Sequence, residues 1–240
     1  MVHRGVASPR RLVVSCAFAL GLLAVLVLGA TSQLGRAEGS QVSRCERFAA
    51  ASALRAASPT GSGPAVLVVG DSWSVGLGLL HPSGSWPARL PGRVLVEGFS
   101  GSGFSATASP CGRQVAFDRR AAAVLPQTSG LVVVQGGLND VDRTDAAIRA
   151  GFDRLFRVLR HAVAEGRVVV VGPASAPSRA AGVPRVDDLL RALAQRRGIP
   201  YVGTSDLALP YLPDGLHLTP AGHRQYGDAV AARIRELAAR

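Results

Sequence analysis

The sequence contains no lysine. All 27 basic residues are arginine, set against 16 carboxylates, and the formal net charge is +11. Such an imbalance raises nucleic acid or acidic lipid as partners. The arginines (Arg89, Arg93, Arg113, Arg143, Arg160, Arg179, Arg197) are scattered, and aromatics are too scarce, at 5%, to interleave with them. No nucleic-acid motif accompanies them, so this class is set aside. Abundant Arg and Ala together read as compositional bias. No His/Cys/Asp cluster has the spacing of metal ligands. The glycine-rich stretch at 98–103 lacks the Lys-Ser/Thr of a phosphate loop. No cofactor and no metal are therefore expected, and no internal repeat is present. Hydrophobic residues at 48% and charged residues at 18% suit a packed core.

Cysteine is also sparse, with three in 240 residues. Cys16 lies inside an uncharged apolar run from Leu12 to Ala30, preceded by Arg4, Arg10 and Arg11. The run approaches the ~20 residues that cross a bilayer as a helix and exceeds the core of an ordinary cleaved signal. Arginines on its N-terminal side favour export of the downstream chain. Residues 1–36 are expected to be a transmembrane anchor or, if cleaved near Gly35-Arg36-Ala37, a signal. The downstream portion is then membrane-anchored or secreted. Cys45 and Cys111 both fall in the exported part, where an oxidising compartment favours a disulfide over two free thiols.

Residues 37–64 are rich in Ser, Ala and Gly and read as a linker with a short helix from Cys45 to Ala57. Beyond them the pattern changes. Ala65–Val69, Leu131–Val134 and Val168–Val171 are short apolar runs, mostly β-branched, each trailed by glycine. Such runs without alternation suit strands buried on both faces. Val94–Val96 and Ile199–Val202 are weaker strand candidates. Between them, Ile148, Phe152, Leu155, Phe156 and Leu159 recur at helical spacing, as do Leu189, Leu190 and Leu193. Thr219-Pro220 opens a last helix through Tyr226, Val230 and Ile234. Strands alternating with helices imply a three-layer α/β/α domain over 65–240 with a parallel sheet, whose ligands bind beyond the carboxyl ends of the strands.

Those ends carry the chemistry. Gly70-Asp71-Ser72-Trp73-Ser74 comes after the first apolar run. Gly98-Phe99-Ser100-Gly101-Ser102-Gly103 comes after the second candidate. Gly136-Gly137-Leu138-Asn139-Asp140 comes after Leu131–Val134, and Asp214-Gly215-Leu216-His217 precedes the last helix. Acyl transfer needs a hydroxyl, a base within hydrogen-bond reach, a group orienting that base, and donors for the oxyanion. Ser72 can be the nucleophile, His217 the base and Asp214 the orienting carboxylate. Gly101 offers an unobstructed N–H, Asn139 an amide donor, and Ser72 its own N–H. Asp71 is expected to bond local backbone, Asp140 to cap the next segment, and His223 to pack on the last helix. Trp73 suits either a pocket wall or the core.

The four segments, taken in order, resemble the blocks of the SGNH hydrolases, the GDSL esterase/lipase family, over roughly Ala65 to Arg240. Trp73 stands where that family usually has Leu or Tyr. Gly137-Leu138-Asn139-Asp140 and Asp214-Gly215-Leu216-His217 match in full, while the second-block glycine is Gly101 or, two residues on, Gly103. The resemblance implies a flavodoxin-like sheet of about five parallel strands, no metal, and a serine at a helix start. It implies an esterase acting on an ester-bearing small molecule, lipid or glycan. An envelope-modifying acyltransferase or deacetylase, and a non-catalytic binding module, are the alternatives on the same fold.

Overall fold

A computed structural model describes residues 43–124, 130–163 and 167–239. The expected anchor at 1–36, with Cys16 and the apolar run, lies outside the described residues. Among those described, no helix is long and apolar enough to cross a membrane. Cys45 and Cys111 are both disulfide-bonded.

The three valine-rich runs form β1 (Ala65–Gly70), β3 (Leu131–Gln135) and β4 (Val168–Val171). The weaker candidates are also strands: β2 (Arg93–Gly98) and the two-residue β5 (Tyr201–Val202). All five pair in parallel, in the order β2-β1-β3-β4-β5. This is the parallel α/β architecture expected from the sequence, with the five strands that the resemblance implies. Gly70 is in register with Gly98, so the segments beyond β1 and β2 leave the sheet side by side.

Alternation within each strand divides the core in two. Leu67, Val69, Val132, Val134 and Val170 face one side. There they meet α3 (Phe117–Val124), α4 (Asp145–Ala162) and α5 (Val183–Gln195) through Phe117, Ile148, Phe152, Leu155, Leu159, Leu190 and Leu193. Val66, Val68, Val94, Val96, Val133 and Val171 face the other side. They meet Tyr226, Val230 and Ala231 of α6 (Pro220–Ala238), with Trp73 and Trp86. The helical spacings read from the sequence are thus the buried stripes of α4, α5 and α6. Caps set where two of these helices begin: Thr144 accepts from the Ala147 N–H, and Thr219 accepts from the Gly222 N–H with Pro220 next in the chain.

The helix read from Cys45 to Ala57 is α1, residues 43–56, and it reaches the sheet edge. Phe48 stands edge-on to Phe99 at 6.2 Å, and the Ser52 hydroxyl donates to the Gly98 carbonyl at 2.6 Å. Arg120 of α3 donates to the same carbonyl and to Ser52 Oγ, and pairs with Glu97. Arg55 is buried and donates to Ser85 Oγ and to the Ser58 carbonyl, while burial lowers its pKa to about 10. The strand end that launches Phe99–Gly103 is therefore braced from two helices.

Candidate active site

β1 gives way to a helix with no intervening loop. A Cβ on Gly70 would collide with Ser74 Oγ, so only glycine lets the turn close there. The Asp71 carboxylate accepts the Trp73 N–H at 3.0 Å and caps α2 (Ser72–Val75). Ser72 is the first residue of that single turn. Gly76, at φ 86°, ends the turn by donating its N–H to the Ser72 carbonyl. The Ser72 hydroxyl is carried by a short rigid stub and is 6% exposed as a residue.

The second component comes from the opposite end of the chain. Asp214–His217 is a tight turn ahead of α6, with Gly215 at φ 62°, where a side chain would be strained. Asp214 Oδ1 accepts the N–H groups of Leu216 and His217, both at 2.9 Å. Its Oδ2 lies 2.6 Å from His217 Nδ1. The other ring nitrogen, Nε2, lies 3.2 Å from Ser72 Oγ. With the Nδ1 proton donated to the carboxylate, Nε2 is left as the acceptor for the serine hydroxyl. Burial works against the charge of Asp214. The His217 ring and the two backbone N–H groups outweigh it and hold its pKa at about 2. The carboxylate is thus ionised and aimed along the ring. The structure brings Ser72, His217 and Asp214 together in line.

The Asn139 amide donates to the Ser102 carbonyl at 2.9 Å, so Asn139 adjoins the Ser102–Gly103 peptide. Among the described residues, no protein acceptor takes the Ser72 or Gly101 N–H. The two candidate glycines are glycine for different reasons. Gly101 is partly exposed and sits at φ 85°. Gly103 is buried against the Asp140 carboxylate, which a Cβ would strike.

Asp140 is fully buried and uses both oxygens structurally. Its Oδ2 accepts the Phe104 N–H at 3.0 Å and its Oδ1 the Ser105 N–H at 2.8 Å. It holds the glycine-rich segment against the turn that carries Asn139. Burial lifts its pKa to about 6, against the pull of the Ser105 and Phe104 N–H groups and of Arg143 and Arg185. Asp71 is raised further, to about 7, again by burial. The Trp73 N–H and the Gln135 amide oppose the rise, and Asp140 adds to it. Gln135 stands near Asp71 without hydrogen-bond geometry, since Asp71 Oδ2 has no partner and the Gln135 carbonyl accepts from Ser74 Oγ.

His223 makes no hydrogen bond to Ser72, His217 or Asp214. It is 1% exposed, and its Nδ1 faces the Trp86 N–H at 3.3 Å. Burial, helped by the nearby His217, lowers its pKa to about 4. Trp73 belongs to the core, and its indole N–H also reaches the Leu216 carbonyl at 3.0 Å. No sequence signal pairs those two positions. Among the described residues, no group of His, Cys, Asp or Glu could hold a metal ion.

The model of the GDSL-like lipase/acylhydrolase family matches residues 68–225. The chain belongs to that family. It is accordingly an ester-hydrolysing enzyme. Solved structures share its fold. Est24, a carbohydrate acetylesterase from Sinorhizobium meliloti, superposes with a TM-score of 0.62 at 19% identity, over 73% of this chain and 100% of that one. The aryl esterase of M. smegmatis gives 0.58 at 22%, over 73% and 100%. A carbohydrate acetylesterase family member from Sinorhizobium meliloti gives 0.58 at 23%, over 74% and 100%. No curated protein matches the sequence.

Proposed function

We propose that this GDSL-family chain is an exported serine esterase that removes small acyl groups, acetate foremost, from a sugar or aryl alcohol. The observation that carries the catalytic part is the contact line from Ser72 Oγ through the His217 ring to the Asp214 carboxylate. Ser72 Oγ attacks the ester carbonyl carbon while its proton passes to His217 Nε2. The carbonyl oxygen becomes the oxyanion and is received by the N–H groups of Ser72 and Gly101 and by the Asn139 amide. The partly exposed Gly101, rather than the buried Gly103, suits that task. The imidazolium returns its proton to the departing alkoxide as the C–O bond breaks, leaving an acyl-serine. Water then attacks with its proton taken by Nε2, the acid leaves, and Ser72 recovers its proton. Asp214 stabilises the imidazolium at both steps without taking a proton itself.

The acyl preference draws on the fold relatives, which are a carbohydrate acetylesterase and an aryl esterase. Export, with tethering at residues 1–36, draws on Arg4, Arg10 and Arg11 ahead of the apolar run and on the disulfide-bonded Cys45 and Cys111.

The test is hydrolysis of aryl acetates and acetylated sugars by the full chain in detergent. Ser72→Ala is expected to lower kcat by a factor on the order of a thousand or more with the fold intact. Undiminished activity in that variant ends the reading. Acyl transfer to an added alcohol or sugar in preference to water would instead make the chain an acyltransferase. A reporter enzyme fused after residue 240 is expected to be active only outside the cytoplasm, and activity only inside contradicts export.

A further inference from the structure

The catalytic line joins two parts of the chain that are remote in sequence and held by different elements. Ser72 rides on β1 and α2, whereas Asp214 and His217 ride on the turn before α6. Among the described residues, only two hydrogen bonds cross between residues 65–76 and residues 211–219. One is the Ser72–His217 contact itself. The other runs from Trp73 Nε1 to the Leu216 carbonyl at 3.0 Å. The crossing is therefore made by the residue after the nucleophile, to the residue before the base.

The indole is packed between two tyrosines in the core. Trp73 is 1% exposed. Its ring stands edge-on to Tyr226 of α6 at 5.1 Å and 88°, and tilted on Tyr211 at 6.1 Å. Tyr211 is itself bridged to Leu218, the residue after the base. The base turn, by contrast, is lightly covered: the Asp214 side chain is 48% exposed. Its other backbone anchors, Leu212 N–H to the His217 carbonyl and Ser178 N–H to the Gly215 carbonyl, do not touch the nucleophile's segment. A second tie, independent of the reacting atoms, thus spans the same gap as the Ser72–His217 contact.

We propose that Trp73 is a positioning residue for the base: its indole N–H holds the Leu216 carbonyl, and with it the His217 ring, at working distance from Ser72. The inference rests on the Ser72–His217–Asp214 reading of the proposed function. The bond involves no substrate, so its loss displaces the proton-transfer step and leaves the binding surface in place. The kinetic signature is a fall in kcat at unchanged KM.

The decisive variant replaces Trp73 by benzothienylalanine in the full chain, which keeps the bicyclic shape and removes only the N–H. We expect kcat on aryl acetate to fall by roughly ten- to a hundredfold, with KM within twofold and the melting temperature nearly unchanged. The rate of Ser72 labelling by a fluorophosphonate should fall by a similar factor. Trp73→Phe serves as the second variant, with the same split expected. Either variant, folded and with kcat within twofold of the parent, overturns the proposal. So does a loss carried wholly by KM or tracking a loss of fold. An active Ser72→Ala control would instead sink the triad reading, and that outcome is distinct from the first.

Discussion

Asp214 on one side, and Asp71 and Asp140 on the other, are carboxylates of the same sheet rim kept in different states. Asp214 is half exposed and receives three donors, the His217 ring and two backbone N–H groups, and its pKa falls to about 2. Asp140 is fully buried with two donors, and its pKa rises to about 6. Asp71 is fully buried with one, and rises to about 7. Fewer donors and less water move the group step by step toward the neutral form. The carboxylate that faces the His217 ring is placed where solvent and donors sustain its charge. The carboxylates that flank Ser72 and Asn139 in sequence are spent on holding backbone.

The largest test of this contrast is Asp214→Asn. The amide keeps the size but can present an N–H to Nδ1, which favours the wrong tautomer. A loss in kcat on the order of 10³–10⁴ is expected, with the melting temperature changed little because the group is half exposed. Equal kcat would break the comparison at its active end.

Asp71 tests the buried end by pH. Its pKa is near 7 folded and ordinary, near 4, unfolded. Between those values the folded state holds the extra proton. Stability from this group is therefore greatest at low pH and declines as pH rises toward 7, by about 1.4 kcal/mol per pH unit. Asp71→Asn keeps an acceptor for the Trp73 N–H and cannot ionise. Its denaturation midpoint should exceed the parent's at pH 8 and approach it at pH 4. A constant difference across that range would contradict the assigned state.

Asp140→Asn sharpens the donor count. One of its two backbone N–H groups, Phe104 or Ser105, would face an NH₂ in place of an oxygen. Urea denaturation is expected to show a loss of about 1–3 kcal/mol. A neutral result would mean that the two contacts are not both made.

His223 gives an effect of the opposite sign, confined to acid pH. Its folded pKa, near 4, lies below its unfolded value of about 6.5, so stability from this group falls as pH drops from 6.5 toward 4. His223→Gln should remove that acid-side decline in the melting temperature while leaving esterase activity in place. Loss of activity would return His223 to the catalytic machinery.

Most of the scaffold was legible because its signals are local. Valine runs ending in glycine marked three strands, and Phe152, Leu155 and Leu159 marked the buried face of α4. The catalytic candidates were legible because they are chemically distinctive residues clustered where strands end. The hidden features depend on contacts across the fold. Gly101 and Gly103 look interchangeable in sequence, and only φ at the first and the Asp140 carboxylate beside the second tell them apart. Trp73 reads as an apolar residue, because nothing in a chain records a partner 143 positions away. Arg55 carries no mark in the chain of its acceptors, Ser85 and Ser58.

The most direct measurement is mass mapping of the full chain after treatment with a fluorophosphonate, beside a His217→Ala variant. The account predicts a single adduct on Ser72 in the parent and labelling slowed by several orders of magnitude in the variant. An adduct on another serine, or labelling at parental speed without His217, would contradict it.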